Sequence, residues 1–430
     1  MNDHLNLLKD QMKPYLLIRN YYTMSESKSH GMIPQKVLRS AYYLLYVFIA
    51  AVLLTSCGTL HSPYYNDNDW LSKNQEAQHP PVHTLYLVGD AGKLDDTLNN
   101  KNYVLDAVSD MLNDDANETS LVFLGDNVYP DGLAKMDDKE REIGERILQA
   151  QIDLSKSHNG STYFIPGNHD WNKHKPGGRQ AILRQEKYIK SAFGGKNELK
   201  FFPKNACGDP ETVEINEELI FVFLDTQWWL QNWQYEKNIN DDCNIQSRED
   251  LLKRTQNILS ENHDKHIVVM LHHPFMSNGK HGGKFSFKHH VFPLTDVNKY
   301  LWLPLPIVGS LFPIIKKANA TEQDINNDLN RSMMIELKNI AENSGAEVTF
   351  ISGHEHGMQY FDRGPIQYVI SGGGSKDDYV QRGGNVDYAR GARGFAKVCF
   401  HTNDEAWLEM YTVSGFGQKP ILEFRKQIRD

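Results

Sequence analysis

The sequence predicts a layered α/β fold in which parallel strands alternate with crossover helices. Two observations support this prediction. Strand-like apolar segments alternate with helical segments over most of the 430 residues, and Gly-rich turns follow five of the apolar segments. These turns carry Asp, Asn and His side chains, and open α/β sheets place their sites at the carboxyl ends of strands. The sequence therefore predicts a polar site at that edge.

The elements repeat the same alternation in two halves of the chain. The first half has predicted strands at 84–88, 120–124 and 162–165 and helices at 104–113 and 139–156. The second half has strands at 219–224, 267–270 and 347–351 and helices at 248–261 and 327–343. Further β-like segments follow at 366–370, 396–401, 406–413 and 421–424. This order favours parallel strands in both halves.

The N-terminus has the features of a secretory signal. Lys36 and Arg39 precede an apolar run at 44–54, which leads through small residues to Cys57. Residues 54–57 resemble a bacterial lipobox, with cleavage before Cys57 and lipidation of that residue. An uncleaved membrane anchor is the alternative, although the run is short for a span of about 20 residues.

These features predict three regions in the chain. Residues 1–57 are expected to be an N-terminal extension with a lipoprotein signal peptide, 58–81 a polar tether, and 82–428 the domain that carries the five turns. The predicted location is the bacterial cell envelope, at the outer membrane facing the periplasm or the cell surface. The residues after Cys57 lack the Asp that retains such lipoproteins at the inner membrane.

The net charge and the cysteine content limit the class of binding partner and the redox state of the cysteines. A net charge of −9 argues against a nucleic-acid-binding face, which would be basic. Besides Cys57, the chain has Cys207, Cys243 and Cys399, and an oxidising compartment favours a disulfide between two of them. Cys207 and Cys243 bracket a loop-rich stretch and are the candidate pair; three buried thiols are the alternative.

Side chains in the five turns supply a set of potential metal ligands, namely Asp90, Asp126, Tyr129, Asn168, His272, His354 and His356. Oxygen and imidazole donors without a thiolate favour Fe, Mn, Zn or Mg. Seven donors are too many for one ion, but they divide into two sets of four if one Asp bridges. Such an ion pair can clamp both the attacking and the leaving oxygen during hydrolysis.

The order D-x-G, G-D-x-x-Y, G-N-H-D, V-x-x-H and G-H-x-H resembles that of the calcineurin-like metallophosphoesterases. Within them it resembles the small purple (tartrate-resistant type) acid phosphatases. Gly92 stands where most of the superfamily has a His, and Tyr129 stands where the purple branch has its replacement ligand. The resemblance extends from about Val82 to Phe400. It implies a four-layer sandwich of two mixed β-sheets flanked by helices.

The resemblance also implies roles for individual residues. Metal one would be held by Asp90, Asp126, Tyr129 and His356, and metal two by Asp126, Asn168, His272 and His354. The ions would be Fe(III) and a divalent Fe, Zn or Mn. His169 and His281 match residues that contact the phosphate and the leaving group. Asp170 is expected to orient His169 or a ligand imidazole.

The implied function is hydrolysis of phosphate monoesters by in-line attack of a metal-bound hydroxide, as in acid phosphatases. A phosphodiesterase or pyrophosphatase acting on nucleotides or lipid-linked phosphates is the first alternative. A non-catalytic binding lipoprotein is the second, and the intact ligand set argues against it. The expected partners are a phosphate-ester substrate and, through the lipid anchor, a membrane.

One segment departs from the family pattern. An apolar, Pro-rich insert occupies about 285–322, and its prolines exclude a continuous helix. Three interpretations remain open: a loop packed on the protein surface, a lid over the cleft, or an apolar patch that contacts a membrane or a partner.

Overall fold

The structure, a computed structural model, describes residues 62–429 except for 74–76, 78, 195–197, 234–242, 297, 299, 306–308, 310 and 312–317. The described residues all belong to one compact unit, Ser56–Asp430. The predicted signal segment and Cys57 lie outside them. Within the described ranges, no helix is both long and apolar enough to cross a membrane.

Fifteen strands are present in this part of the chain. They are β1 (Tyr64–Tyr65), β2 (Pro81–Val88), β3 (Glu118–Leu124), β4 (Ser161–Ile165), β5 (Leu199–Phe201), β6 (Glu211–Asn216), β7 (Leu219–Phe223), β8 (His266–Met270), β9 (Glu347–Ser352), β10 (Met358–Arg363), β11 (Ile366–Ser371), β12 (Tyr388–Arg390), β13 (Gly394–His401), β14 (Ala406–Thr412) and β15 (Ile421–Arg429).

The strands form two mixed sheets. One sheet has the order β1-β12-β10-β11-β9-β8-β7-β6, and the other has the order β15-β14-β13-β2-β3-β4-β5. Neighbouring strands from β2 to β5 are parallel, and so are β7, β8, β9 and β11, whereas the remaining pairs are antiparallel. The parallel strands of both sheets therefore direct their carboxyl ends to the edges where the ligand-bearing turns begin.

An apolar layer between the two sheets holds them together. Side chains from the seven-stranded sheet, such as Leu85 and Val122, share one buried cluster with Phe221 and Met270 of the eight-stranded sheet. Burial of such side chains contributes about 1.5–3 kcal/mol each. A second cluster joins the sheets to the helices. The predicted two-sheet sandwich flanked by helices is confirmed.

Eight α-helices lie within the described ranges: α1 (Trp70–Lys73), α2 (Tyr103–Asp114), α3 (Arg141–Lys156), α4 (Gly178–Phe193), α5 (Thr226–Leu230), α6 (Arg248–Glu261), α7 (Phe287–Val291) and α8 (Asp328–Ser344). Local signals set their ends. The Asn102 side chain accepts hydrogen bonds from the first N–H groups of α2, and Asn327 caps α8, which ends at Gly345 with φ 75°. Helix α4 was not predicted.

The predicted tether at 58–81 is wrong for its described central part. Strand β1 pairs with β12, and the Tyr65 ring packs on both Trp70 and Tyr388. The Trp70 ring in turn contacts Phe424 of β15. The aromatic side chains in this polar stretch supply enough apolar surface to pack residues 64–73 against strands of both sheets, which a composition-based reading overlooks.

The structure pairs Cys207 with Cys243 in a disulfide, with Cα atoms 5.5 Å apart, and leaves Cys399 as a buried thiol.

The insert forms helix α7 and a 3₁₀ turn at Pro293–Asp296, followed by exposed residues at 300–303. Tyr300 is 77% exposed, so this stretch does not pack throughout on the protein surface. Where the insert rejoins the domain, the Ile325 N–H donates a hydrogen bond to the His281 carbonyl.

Candidate metal centre

Five strands deliver the predicted ligands to one place. Asp90, Asp126 and Asn168 follow β2, β3 and β4 of the seven-stranded sheet, whereas His272 and His354 follow β8 and β9 of the other sheet. All five side chains are buried. The centre therefore lies where the carboxyl ends of both sheets meet, as the strand-end pattern predicted.

Three of these residues have left-handed backbone conformations. Asp90, Asp126 and His354 have φ values of 60°, 54° and 70°. This region is unfavourable for residues with a side chain, and it is concentrated at functional sites. The His354 N–H donates to Asp90 Oδ2 at 2.7 Å, so the strained turns of the two sheets are joined directly.

His272 and His354 face each other through nitrogens that carry no proton. His272 Nδ1–H donates to the Leu124 carbonyl at 2.8 Å, and His354 Nε2–H donates to the Gln323 carbonyl at 3.0 Å. The other two nitrogens, His272 Nε2 and His354 Nδ1, lie 3.2 Å apart. Asn168 Oδ1 lies 3.1 Å from His272 Nε2. Three lone pairs that converge without a hydrogen between them favour a bound cation.

A second group of donors surrounds Asp90. Tyr129 Oη donates to Asp90 Oδ1 at 2.8 Å and lies 3.3 Å from His356 Nε2. His356 Nδ1–H donates to Asp378 Oδ2 at 2.6 Å, so its Nε2 lone pair points towards Tyr129 and Asp90. Asp378 thus gives His356 the carboxylate partner that metal-binding histidines usually have.

Asp126 connects the two groups. Its Oδ1 lies 3.4 Å from His272 Nε2, and ligand atoms of Asp90, Asp126 and His272 all lie within 4.8 Å of one another. Burial and the neighbouring Asp126 raise the pKa of Asp90 well above its usual value. Two fully buried carboxylates at this separation repel each other, which adjacent cations would relieve. The oxygen and nitrogen donors present fit two such ions.

The absence of a side chain at position 92 makes room for Tyr129. A Cβ atom on Gly92 would lie 2.8 Å from Tyr129 Cδ2 and 2.5 Å from the Asp126 carbonyl oxygen. A side chain here would therefore displace either the ring or the turn that carries Asp126. The Gly and the Tyr singled out in the sequence occupy the same space in the fold.

Two histidines outside the ligand set lie beside the centre. His169 donates its backbone N–H to Asp126 Oδ1, and its Nε2 lies 3.7 Å from Asp126 Oδ2. The His281 ring lies 4.1 Å from the His354 ring, and its Nδ1–H donates to Asp324 Oδ1 at 2.8 Å. His281 holds the pKa of Asp324 below its usual value, although burial opposes this shift.

Asp170 has a different set of contacts from the one expected. It accepts hydrogen bonds from the backbone N–H groups of Gly167, Asn127 and Val128 rather than from an imidazole. Burial and Asp126 raise the pKa of this carboxyl to about 7, while the backbone donors oppose the rise. Asp170 therefore holds together the turns that carry Asp126 and Asn168.

Several residues at the centre were missed in the sequence. Glu355 Oε1 accepts from the Ser277 hydroxyl and the His281 N–H and so fixes the loop before the insert. Gln323 and Asp324, directly after the insert, hold His354 and His281: the Gln323 carbonyl accepts from His354, and the Asp324 carboxylate accepts from His281. Neither Gln323 nor Asp378 comes directly after a strand, and no local sequence pattern indicated that either residue would reach the centre.

His273 lies against the ligands but has other partners. Its Nε2–H donates to Gln323 Oε1 at 2.8 Å, and its Nδ1 accepts from the Thr226 hydroxyl at 2.8 Å. Both ring nitrogens are therefore engaged within the protein. Its position next to His272 and His354 supports packing and orientation of the centre rather than metal binding.

Comparisons with known proteins agree with the geometry. Among solved structures, the fold is similar to "GAP50 the anchor in the inner membrane complex of Plasmodium", with a TM-score of 0.50, 13% identity, and coverage of 81% of this chain and 89% of that one. At this identity the likeness concerns the fold alone. A cold-active protein-tyrosine phosphatase of Shewanella aligns with a TM-score of 0.28, 11% identity and coverage of 82% and 83%, which supports no argument. No curated protein gives a significant match.

Residues 82–358, more than half of the chain, match the family described as calcineurin-like phosphoesterase. The matched range contains every strand end that supplies a donor to the centre. The chain belongs to the calcineurin-like phosphoesterases, a family of metal-dependent hydrolases that act on phosphate esters.

Proposed function

We propose that the protein is an acid phosphatase-like phosphomonoesterase with a dinuclear metal centre. Metal one is assigned to Asp90, Asp126, Tyr129 and His356, and metal two to Asp126, Asn168, His272 and His354, so that Asp126 bridges. The observation that carries this proposal is the approach of His272 Nε2 and His354 Nδ1 to 3.2 Å with both protons directed away.

When bound, the two ions act as Lewis acids on the phosphate and activate water for attack. The remaining work is done by side chains of this chain. Asn168 and His169, which lie beside His272 and Asp126, are assigned by the family resemblance to contact equatorial oxygens of the phosphate. His281 is the proposed general acid, because Asp324 binds Nδ1–H and leaves Nε2 to deliver a proton to the leaving oxygen.

The assignment of Fe(III) to metal one rests on Tyr129. A phenolate ligand suits a trivalent ion, and burial together with Asp126 and Asp90 raises the pKa of the free phenol well above 10. A phenol in such a negative environment loses its proton only when a strongly charged ion replaces it. The second ion is a divalent Fe, Zn or Mn.

We further propose that the protein is a lipoprotein of the bacterial cell envelope, anchored through Cys57. The support is the order of basic residues, apolar run and lipobox-like sequence at 36–57. The Cys207–Cys243 disulfide agrees with an oxidising compartment.

The test of the activity is a substrate panel on protein loaded with iron and with each divalent ion. We expect hydrolysis of p-nitrophenyl phosphate, much slower hydrolysis of its bis ester, and loss of both after chelation. Asp126→Asn should be inactive, whereas Asp110→Asn, on the exposed face of helix α2, is the matched control and should retain activity. Faster cleavage of the bis ester would replace the phosphomonoesterase assignment with a phosphodiesterase.

A further inference from the structure

Four consecutive apolar side chains of the insert are exposed to solvent. Their exposed fractions are 77% for Tyr300, 44% for Leu301, 57% for Trp302 and 55% for Leu303. Outside the insert, the exposed large apolar side chains of the described residues occur singly along the sequence. Single exposed apolar residues are ordinary, whereas a contiguous group marks a surface that contacts something apolar. Residues 300–303 are called the exposed loop below.

Contacts with helix α7 hold the exposed loop in place. The Leu305 N–H donates to the Val291 carbonyl at 2.6 Å. The Trp302 ring packs on Phe292 with ring centroids 5.3 Å apart, and Lys288 Nζ lies 4.9 Å from the centroid of the Trp302 ring. More than half of Trp302 is still exposed. The fold therefore directs these apolar side chains outward from a fixed position.

The segment that carries the exposed loop is basic, although the chain as a whole is acidic. Residues 280–317 contain six lysines and one acidic residue, Asp296, whereas the chain has a net charge of −9. Lys280 and Lys288 are exposed. Lysines beside exposed Trp, Tyr and Leu side chains are typical of surfaces that bind anionic phospholipids, since the rings favour the membrane interface and the ammonium groups favour the headgroups.

Two acidic residues face the base of this segment rather than the exposed loop. Glu355 is buried and accepts from the Ser277 hydroxyl and the His281 N–H. Asp324 accepts from the His281 ring at 2.8 Å. Both carboxylates therefore act on the side of the metal centre, and they leave the basic character of the exposed loop unchanged.

The base of the insert adjoins the place where the chain leads back to Cys57. Ser62, the first described residue, accepts hydrogen bonds from the Arg382 guanidinium through its carbonyl and hydroxyl oxygens. The carbonyl groups on either side of Arg382 accept from the Asn278 side chain, at 3.0 and 2.7 Å. Asn278 lies in the loop that leads into the insert. The chain therefore enters the domain next to that loop.

Both ends of the insert lie at this place. A cavity of about 230 Å³ between the same segments is lined by Lys284, Ile325 and Gly384, and the first two of these residues flank the insert. Cys57 is five residues before Ser62, and five residues span at most about 18 Å. A membrane that holds Cys57 is therefore held close to the insert, whereas a protein partner would have to be recruited to it.

We propose that the exposed loop and the neighbouring lysines of the insert form a docking surface for the anionic phospholipids of the membrane that holds the chain. This inference rests on the proposed anchor at Cys57 and not on the proposed phosphatase activity. The rings and leucines enter the boundary between headgroups and acyl chains, and the lysines bind lipid phosphate groups. The domain is then attached to the bilayer at two points, which fixes its orientation.

Depth-dependent quenching tests the docking surface without turnover. An environment-sensitive fluorophore is attached to Leu303→Cys in the lipid-modified protein, in which Cys399 is buried and Cys207 and Cys243 are paired. On vesicles of phosphatidylethanolamine and phosphatidylglycerol, we expect its emission to shift to the blue and to be quenched by nitroxide groups on the acyl chains. Glu217→Cys is the matched control. It lies in the exposed turn before β7, at the end of that strand opposite the metal centre, and its label should remain in water.

Variants separate the apolar and the charged contributions. Trp302→Ser should lower the ratio of docked to undocked loop about tenfold or more, because burial of one large apolar side chain is typically worth that factor. Lys288→Gln should lower the ratio about fivefold on phosphatidylglycerol-containing vesicles and have little effect on vesicles of phosphatidylcholine alone. Lys253→Gln, which removes an exposed lysine of helix α6, is the matched control and should behave as wild type.

A label at position 303 that remains in water on both kinds of vesicle overturns the docking surface. A blue shift that appears without vesicles and grows with protein concentration assigns the loop to a second copy of the chain and also overturns it. A third contrary result is a Trp302→Ser variant with an altered KM for p-nitrophenyl phosphate in detergent and unaltered quenching, since the loop would then be a lid.

The same measurements keep the three proposals apart. Protein without lipid on Cys57 rejects the anchor, and quenching with vesicles added to that protein still decides the docking surface. Lipid-modified protein that is held on vesicles without quenching at position 303 rejects the docking surface alone. Protein that hydrolyses no ester rejects the phosphatase proposal, and the fluorescence is unaffected because it requires no turnover.

Discussion

Tyr129 and Gly92 share one space in the fold: a Cβ on Gly92 would lie 2.8 Å from Tyr129 Cδ2. The absence of a side chain at position 92 and the presence of the Tyr129 ring beside it are therefore physically linked. With a larger residue at 92, the Tyr129 hydroxyl could not keep its 2.8 Å contact with Asp90 Oδ1 without movement of the turn. This relationship makes the nature of the metal at this position testable through the tyrosine.

We expect iron-loaded protein to be pink to violet, because a phenolate bound to Fe(III) has a visible charge-transfer band. Tyr129→Phe should abolish that band while the far-UV circular dichroism is unchanged. The control is Tyr86→Phe, which removes a buried hydroxyl that donates to Asp115 far from the ligands, and it should keep the colour. Active, fully loaded protein with no iron and no visible band would remove the purple assignment and leave the family assignment in place.

Asp126→Asn is expected to lose both metals, since Asp126 lies between the two donor groups and supplies a negative charge to each. Metal analysis after dialysis should give a much lower content of both ions than in the wild type, because Asp126 is the proposed ligand that they share. Asp378→Asn should lose mainly the ion bound by His356, because it removes only the partner of that imidazole. Equal retention of both ions in Asp126→Asn would contradict the bridging role.

The sequence predicted those parts of the centre that follow strands. Each of Asp90, Asp126, Asn168, His272 and His354 comes directly after a buried β-strand in a Gly-containing or polar turn, so local pattern is enough to place them. The alternation of strands and helices predicted the layered α/β class, and the family resemblance implied the two-sheet sandwich. The strand-end ligands and the order of strands and helices depend on residues close together in the chain, so the pattern of a single sequence is enough to predict them.

The features that were missed depend on contacts between distant segments. Gln323 and Lys376 reach the centre from loops with no periodic signal, and only folding brings them to His354 and Tyr129. Residues 64–73 looked like a tether because most of them are polar, but Tyr65 and Trp70 are enough to dock the segment. Tertiary packing by a few aromatic side chains outweighed composition.

Buried histidines away from the centre should make the protein less stable in acid. Burial lowers the pKa of His83 to about 4 and that of His266 to about 3. Below pH 6.5 the unfolded chain binds protons that the folded protein does not, so the free energy of unfolding falls as the pH drops from 6.5 towards these values. Each residue should contribute about 2 kcal/mol to the difference between pH 7 and pH 5.

The measurement is urea unfolding of chelator-treated protein at pH 7 and pH 5, so that metal loss does not contribute. His266→Gln should be less stable at pH 7, since it loses the contact with Thr349, but should show a smaller fall in unfolding free energy at pH 5. Exposed His263→Gln is the matched control and should keep the wild-type pH dependence. An unchanged difference in His266→Gln would show that this residue does not carry the acid sensitivity.

Cys57→Ala should abolish labelling of the protein by a fatty-acid analogue and block normal processing, because Cys57 is the residue that a lipobox modifies. Cys399→Ala, which removes a buried thiol of the domain, is the matched control and should be labelled normally. Fractionation should place the wild type in the outer membrane. Labelling of Cys57→Ala at the wild-type level would contradict the lipoprotein proposal.

His281→Ala should slow hydrolysis of phosphate esters with poor leaving groups by about 10² to 10⁴-fold, since general acid catalysis is typically worth that much. Esters of p-nitrophenol should be affected far less, because p-nitrophenolate leaves without protonation. Asp324→Asn should show the same selectivity in weaker form, because Asp324 holds His281 Nδ1–H at 2.8 Å. Asp328→Asn, at an exposed position at the start of helix α8, should behave as wild type on both substrates. If His281→Ala lost the same factor on both kinds of ester, His281 would act in binding or packing against His354 and not as the acid.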